Sequence, residues 1–115
     1  MKMKRIDATI QATKIGAVTA ALDSTVGGFS ILEGNGRGSG ARQTMRSGRG
    51  TGSIVAEYNK IATVSTVVED SEVEKISTAI ADAAFTGKGG DGIVVVTSVE
   101  NVTNIASKKS GVEAL

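Results

Sequence analysis

The chain has 115 residues, contains no cysteine, histidine or proline, and carries a net charge of +1. This composition excludes disulfides, thiolate metal sites and Ser-His or Cys-His catalysis, and the length favours a single domain with its own core over residues 1–115. The charge is unevenly distributed, because residues 34–56 hold four arginines and no acidic residue.

The first third of the chain predicts a strand, a helix and a second strand. Apolar and polar side chains alternate over residues 3–11, which is typical of a half-buried strand. Apolar residues at helical spacing, followed by a pair of glycines, predict a helix over residues 13–24. A short apolar run predicts the second strand over residues 29–33.

The next segment, residues 34–55, predicts a loop. It is rich in Gly, Arg, Ser and Thr, and residues 34–56 contain seven of the fifteen glycines of the chain. A segment of this composition cannot bury enough apolar surface to fold alone. We therefore expect a mobile excursion from a compact body.

The second half predicts a strand, a helix and a final strand. Residues 58–68 are rich in β-branched side chains and alternate in polarity. Ser71 and Glu74 have the spacing of a capping box, and a helix with an apolar face follows them. An apolar run over residues 93–96 predicts the last strand, and residues 100–115 are too weakly patterned to assign.

The order βαββαβ predicts an α+β, ferredoxin-like fold, an antiparallel sheet with two helices on one face. The last strand is apolar at every position from Ile93 to Val96. A strand in a sheet with one open face should alternate in polarity. The open face should therefore be covered either by other copies of the chain or by residues 100–115, and we expect other copies, because residues 100–115 are too polar.

The turn between the last helix and the last strand is dense in glycine. Four of the seven residues in the sequence TGKGGDG, residues 86–92, are Gly. The string fits G-x-G-x-x-G, but the dinucleotide fingerprint requires a strand before the glycines and a helix after them, and here the order is reversed. Bare N–H groups beside a lysine are instead suited to phosphate. The alternative is an ordinary helix-to-strand connection with a glycine cap.

These features together resemble the PII signal-transduction family, trimeric regulators of nitrogen metabolism. The segment MKRIDA, residues 3–8, is similar to the family's first strand, and GFSILE, residues 28–33, to its second. Residues 37–57 resemble its T-loop, the flexible loop that contacts partners. Residues 86–92 resemble its B-loop, which usually reads T-G-K-x-G-D-G. The likeness spans nearly the whole chain.

The resemblance implies a homotrimer that binds ATP or ADP, with Mg where ATP is bound, in clefts between subunits, gripped by the B-loop of one subunit and the T-loop base of another. The implied nucleotide-binding residues are Ser30, Gly38, Ser39, Val67, Thr86, Gly87, Lys88, Gly89, Gly90, Asp91, Gly92 and Ile93. The residues implied to bind 2-oxoglutarate are Lys60 and Gln43. The implied partner is an ammonium transporter or a nitrogen-assimilation enzyme, contacted through Arg42, Arg46, Arg49 and Thr51.

Several positions depart from the family pattern. Ile93 stands where the family usually has a lysine after the B-loop, and Asn104 and Ala106 stand where it has two phosphate-gripping arginines. The T-loop arginine and glutamine of the family fall on Ser39 and Gly40. The ligand preference among ATP, ADP, AMP and other small molecules is therefore left open, and a PII-like trimer with a different ligand is the alternative.

A ferredoxin-fold RNA binder is a further alternative, since the arginine-rich loop is basic. RNA-recognition modules stack bases on aromatic residues of the central strands, and here those strands offer only Tyr58, at one end. We therefore expect no nucleic-acid partner. No metal site of protein ligands alone and no catalytic residue stands out, so a regulator is favoured over an enzyme. The sequence shows no signal peptide or membrane-spanning run, which predicts a cytoplasmic protein without membrane insertion.

Overall fold

The computed structural model describes residues 2–39, 44–46, 53–55 and 57–115. Its elements follow one another in an order that contains the predicted βαββαβ framework. They are β1 Met3–Gln11, α1 Ile15–Leu22, β2 Ser30–Gly36, β3 Thr44–Arg46, β4 Ser53–Val55, β5 Asn59–Glu69, α2 Val73–Ala84 and β6 Gly92–Val99. Short 3-10 turns precede each helix, over Ala12–Lys14 and Asp70–Glu72, and a third spans Gly111–Ala114.

Four strands form one antiparallel sheet in the order β2-β5-β1-β6. The two central strands, β1 and β5, alternate in burial because successive side chains of a strand point to opposite faces. This arrangement confirms the predicted α+β, ferredoxin-like fold.

The core lies between one face of this sheet and the two helices. It contains buried apolar side chains from both central strands and from both helices, and the fully buried ones with the largest volumes are Ile6, Leu22, Ile76, Ile80, Val18 and Val64. The buried hydroxyl of Thr66 donates to the carbonyl oxygen of Gly28 at 2.6 Å, so the sheet's connection to α1 is fixed without an unsatisfied polar atom at that position.

The opposite face of the sheet carries no helix among the described residues. Two rows cross it, Leu32–Thr63–Thr9–Ile93 and Ser30–Ser65–Asp7–Val95, as the strand register dictates. Leu32 is 75% exposed and Ile93 64% exposed, and Val95 is also exposed. The strand β6 is therefore apolar and exposed on this face, as the sequence predicts.

The structure corrects two local predictions. Residues 34–36 belong to β2 and pair with β5, so the loop starts later than residue 34. The prediction of a capping box at Ser71 and Glu74 is wrong, since the chain enters α2 through a 3-10 turn and no side-chain cap hydrogen bond forms. The acidic residues at the start of α2 still interact favourably with the positive end of the helix dipole.

The predicted loop contains a two-stranded antiparallel ribbon, in which Thr44–Arg46 pairs with Ser53–Val55. The sequence predicts a mobile loop over residues 34–55, and the ribbon adds two short strands that the sequence does not predict. Gln43, Arg42, Arg49 and Thr51 lie outside the described residues, and the side chain of Arg46 does too.

Residues 100–115 form an ordered turn. Thr103 and Ser110 make an isolated bridge, and the side chain of Asn104 accepts hydrogen bonds from the N–H groups of Ala106 and Ser107. The same side chain donates to the carbonyl oxygen of Ala114, which is buried. The weakly patterned C-terminal segment is therefore folded by backbone and amide hydrogen bonds.

No helix in the described part of the chain is long and apolar enough to cross a membrane.

Candidate functional site

A cleft of about 540 Å³ opens where residues 36–39, the ends of the central strands and the glycine turn come together. This volume lies within the range of ordinary small-molecule sites. The residues that line it are Thr9, Ile10, Gly36, Arg37, Gly38, Ser39, Asn59, Ile61, Lys88, Gly90, Asp91, Gly92 and Ile93.

Three of the four glycines in the turn are required by its backbone conformation. Gly87, Gly90 and Gly92 have φ angles of +84°, +94° and +117°, which side chains other than that of glycine rarely adopt. At Gly92 a Cβ atom would lie 1.9 Å from the carbonyl oxygen of Thr9. The turn therefore packs its backbone directly against β1, and this contact positions the cleft.

The carboxylate of Asp91 closes the turn on itself. It accepts hydrogen bonds from the hydroxyl of Thr86 at 2.5 Å, from the N–H of Thr86 at 2.7 Å and from the N–H of Gly87 at 3.2 Å. The amide of Gln11 on β1 adds weaker contacts to the same carboxylate and to the carbonyl oxygen of Gly90. Asp91 thus stabilises the turn, because its carboxylate oxygens accept hydrogen bonds from donors within the turn.

The hydrogen bond from the Thr86 hydroxyl, and after it those from the N–H groups of Thr86 and Gly87, hold the pKa of Asp91 below its ordinary value of 3.8. A carboxyl group whose pKa is lower in the folded than in the unfolded chain stabilises the fold above the unfolded pKa. That stabilisation is lost as the pH falls through the folded pKa. We expect the stability difference between the native chain and Asp91→Asn to be largest near pH 7 and to shrink below about pH 4.

Thermal unfolding of both proteins between pH 7 and pH 2.5 measures this dependence. Asp82→Asn is the matched control, since Asp82 lies exposed on α2. Its effect on stability at pH 7 should be smaller than that of Asp91→Asn, because Asp82 lies outside the glycine turn. Parallel pH profiles for native chain and Asp91→Asn would contradict the proposed role of the carboxylate.

Of the described residues that line the cleft, Lys88 and Arg37 carry positive charge. Among the described residues Lys88 makes no ion pair, and only its backbone N–H is engaged, as a donor to the hydroxyl of Thr86. Arg37 contacts Glu57 and Tyr58, which lie twenty and twenty-one residues further along the chain. An anionic ligand in the cleft would therefore meet two cations and the N–H groups of the turn.

Seven of the predicted nucleotide-binding residues line this cleft: Gly38, Ser39, Lys88, Gly90, Asp91, Gly92 and Ile93. Thr86, Gly87 and Gly89 belong to the turn but do not line the cleft. Ser30 and Val67 lie on strands of the sheet, outside the cleft. The resemblance implied that the B-loop and the T-loop base come from different subunits, whereas here the two loops of one chain line the same cleft.

Lys60, predicted to bind 2-oxoglutarate, does not line the cleft. Its neighbours Asn59 and Ile61 do, and alternate residues of a strand point to opposite faces. The lining residues that the sequence did not predict are Thr9, Ile10, Gly36, Arg37, Asn59 and Ile61. Four of these residues lie on β1 and β5, and they are brought to the cleft only by the pairing of these strands.

A family model described as nitrogen regulatory protein P-II matches residues 3–109. No curated protein matches the sequence significantly. Arabidopsis thaliana PII bound to citrate is similar in structure, with a TM-score of 0.78 at 22% identity over 99% of this chain and 92% of that chain. B. subtilis GlnK is similar with a TM-score of 0.78 at 20% identity over the full length of both.

Proposed function

The chain belongs to the nitrogen regulatory protein P-II family, and from this premise we propose that it is a trimeric signal-transduction regulator of nitrogen metabolism that senses an adenine nucleotide, ATP or ADP. The nucleotide binds in the cleft beside the B-loop. Its occupancy changes the T-loop, through which the protein controls a partner, an ammonium transporter or a nitrogen-assimilation enzyme. The chain acts on partners by binding and not as an enzyme.

The observation that carries the proposal is the meeting of Lys88 and the glycine turn with the T-loop base in one cleft. Positive φ angles and close packing against β1 keep the backbone of the turn bare of side chains. Such a turn beside a lysine is suited to phosphate groups. A ligand there touches the first residues of the T-loop, Arg37 to Ser39, so binding is coupled to the loop by direct contact.

The exposed apolar residues of the open sheet face support the trimer. Leu32, Ile93 and Val95 would lose contact with water in an assembly, which favours association. In the proposed trimer a neighbouring copy supplies Ser30 and Val67, which lie on strands of the sheet outside the cleft of a single chain.

Calorimetry with ATP, ADP, AMP and 2-oxoglutarate, each with and without Mg, tests the sensing function, and equilibrium ultracentrifugation tests the trimer. We expect binding of ATP or ADP to a sedimenting trimer. A monomer at micromolar concentration would refute the assembly, and absence of heat with every nucleotide would refute the ligand. Lys60 does not line the cleft, so its position does not support binding of 2-oxoglutarate. The titration with 2-oxoglutarate tests this ligand separately.

A second candidate is a PII-like trimer whose ligand is another small anion. Asn104, at a position where the resemblance implies a phosphate-gripping arginine, uses its amide to hold the C-terminal turn. The structural neighbour from Arabidopsis binds citrate, and the cations of this cleft suit carboxylates as well as phosphates. A thermal-shift comparison of citrate with ATP separates the two: larger stabilisation by citrate favours the second candidate.

RNA binding by the basic loop has little support. Of the aromatic residues, Phe29 packs against the core, Tyr58 contacts Arg37 and Phe85 follows α2. None of the three lies on the open face of β1 or β5, where an RNA-binding sheet would stack bases.

A further inference from the structure

Arg37 joins the two ends of the T-loop, which are twenty residues apart in the sequence. Its Nε donates to the backbone carbonyl oxygen of Glu57 at 3.1 Å, and its Nη2 lies 3.5 Å from the Glu57 carboxylate. The guanidinium also lies over the ring of Tyr58, 5.6 Å from the ring centroid. These three contacts fasten the start of the loop to its end.

The same Arg37 lines the cleft, together with Lys88. A guanidinium has five N–H donors, and the two contacts with Glu57 use two of them. The side chain of Glu57 is 74% exposed, and an exposed ion pair of this kind is weak. A phosphate or carboxylate group, which binds arginine in a two-pronged geometry, would be a stronger acceptor.

We propose that Glu57 is an internal competitor for the anionic group of the ligand, and that the Arg37–Glu57 pair transmits anion binding to the T-loop. An anion in the cleft draws the guanidinium away from the Glu57 carboxylate and loosens the join between the loop's ends. The inference deepens the proposed function and rests on it only in that an anion must bind in this cleft.

The charge of Glu57 therefore sets both the affinity and the coupling. Removing the carboxylate frees Arg37 for the ligand, and the backbone contact with residue 57 remains. We expect Glu57→Gln to bind ATP about two- to fivefold more tightly than the native chain, the range that follows from the strength of an exposed ion pair.

A double-mutant cycle separates this role from a general effect of charge. In an Arg37→Gln background, ATP binds more weakly and Glu57→Gln should produce no further change, since Glu57 acts through Arg37. Glu33→Gln is the matched control, because Glu33 is an exposed acid on β2 that does not line the cleft. It should leave the affinity unchanged.

Calorimetry with ATP, inorganic tripolyphosphate and citrate on all five proteins provides the measurement. An equal gain from Glu57→Gln in both backgrounds, or no gain in either, would overturn the inference while the proposed function stands. If tripolyphosphate or citrate binds and ATP does not, nucleotide sensing is refuted. The double-mutant cycle then tests the inference with the affinities for the anion that binds. If no anion binds the native chain, both proposals are refuted.

Discussion

Replacing Gly92 with alanine should lower the free energy of unfolding by about 3 kcal/mol or more. Two effects add. The φ angle of +117° is a strained conformation for any residue with a side chain, and the new Cβ would lie 1.9 Å from the carbonyl oxygen of Thr9. It would also lie 2.9 Å from the Thr9 carbonyl carbon and 3.1 Å from the Cα of Ile10. All three atoms belong to the backbone, so no side chain can rotate to make room.

The substitution should also change the cleft. Gly92 pairs with Ile10 at the end of the β1–β6 ladder, and both residues line the cleft. A shift of β6 away from β1 would separate the glycine turn from the strand that positions it. We therefore expect the altered protein to lose nucleotide binding even where it remains folded.

Urea unfolding followed by circular dichroism measures the effect, at one protein concentration because association contributes to apparent stability. Gly16→Ala is the control. Gly16 lies in α1, and a Cβ there meets no atom within 4 Å. That substitution should raise the stability by roughly 0.5–1 kcal/mol. A loss below about 1 kcal/mol for Gly92→Ala would contradict the close packing of the turn.

The framework of the fold was predictable because its sheet has one face in the core. Alternation along β1 and β5 and helical spacing in α2 are direct consequences of that burial. The end of β2 was not predictable, since Gly34 and Gly36 are poor strand formers and their composition indicates a loop. Pairing with β5 decides their structure, through partners such as Gly36 and Asn59.

The start of α2 shows the limit of a local motif. Ser71 and Glu74 have the spacing of a capping box, yet Glu69 is extended and the residues after it form a 3-10 turn before the helix begins. The N–H of Asp70 donates to the carbonyl oxygen of Lys2, so a contact with the start of β1 sets the point where the chain turns. A tertiary hydrogen bond overrides the local signal.

The candidate site was predictable where one short segment holds its chemistry. Lys88, Gly90, Asp91 and Gly92 form such a segment, and a motif identifies it. Thr9 and Ile61 carry no signal of their own, because they reach the cleft only when antiparallel pairing aligns the ends of β1, β5 and β6. Such residues become predictable once the strand register is known.

Replacing Lys88 with glutamine should weaken binding of ATP roughly 10- to 140-fold, the equivalent of one charge-assisted hydrogen bond. Lys88 lines the cleft and makes no ion pair with any described residue, so its charge is available to a phosphate. The residue is exposed, and its φ is not in the left-handed region that Gly87 and Gly90 adopt. The substitution should therefore leave thermal stability nearly unchanged.

The comparison of ligands adds a further constraint on the position of Lys88. An equal loss for ATP and ADP would place its ammonium group against a phosphate that both nucleotides carry, whereas a loss confined to ATP would place it against the terminal phosphate. The loss should also diminish at high salt, because the contact lies in a cleft open to solvent and is screened.

Calorimetry at two salt concentrations measures these affinities, with Lys75→Gln as the control. Lys75 is exposed on α2 and does not line the cleft, so its replacement removes one positive charge from the chain without touching the site. If both substitutions reduce affinity to the same small extent, net charge and not the cleft attracts the nucleotide. A large loss confined to Lys88→Gln assigns the phosphate to the glycine turn, because Lys88 is the one described lysine that this turn presents to the cleft.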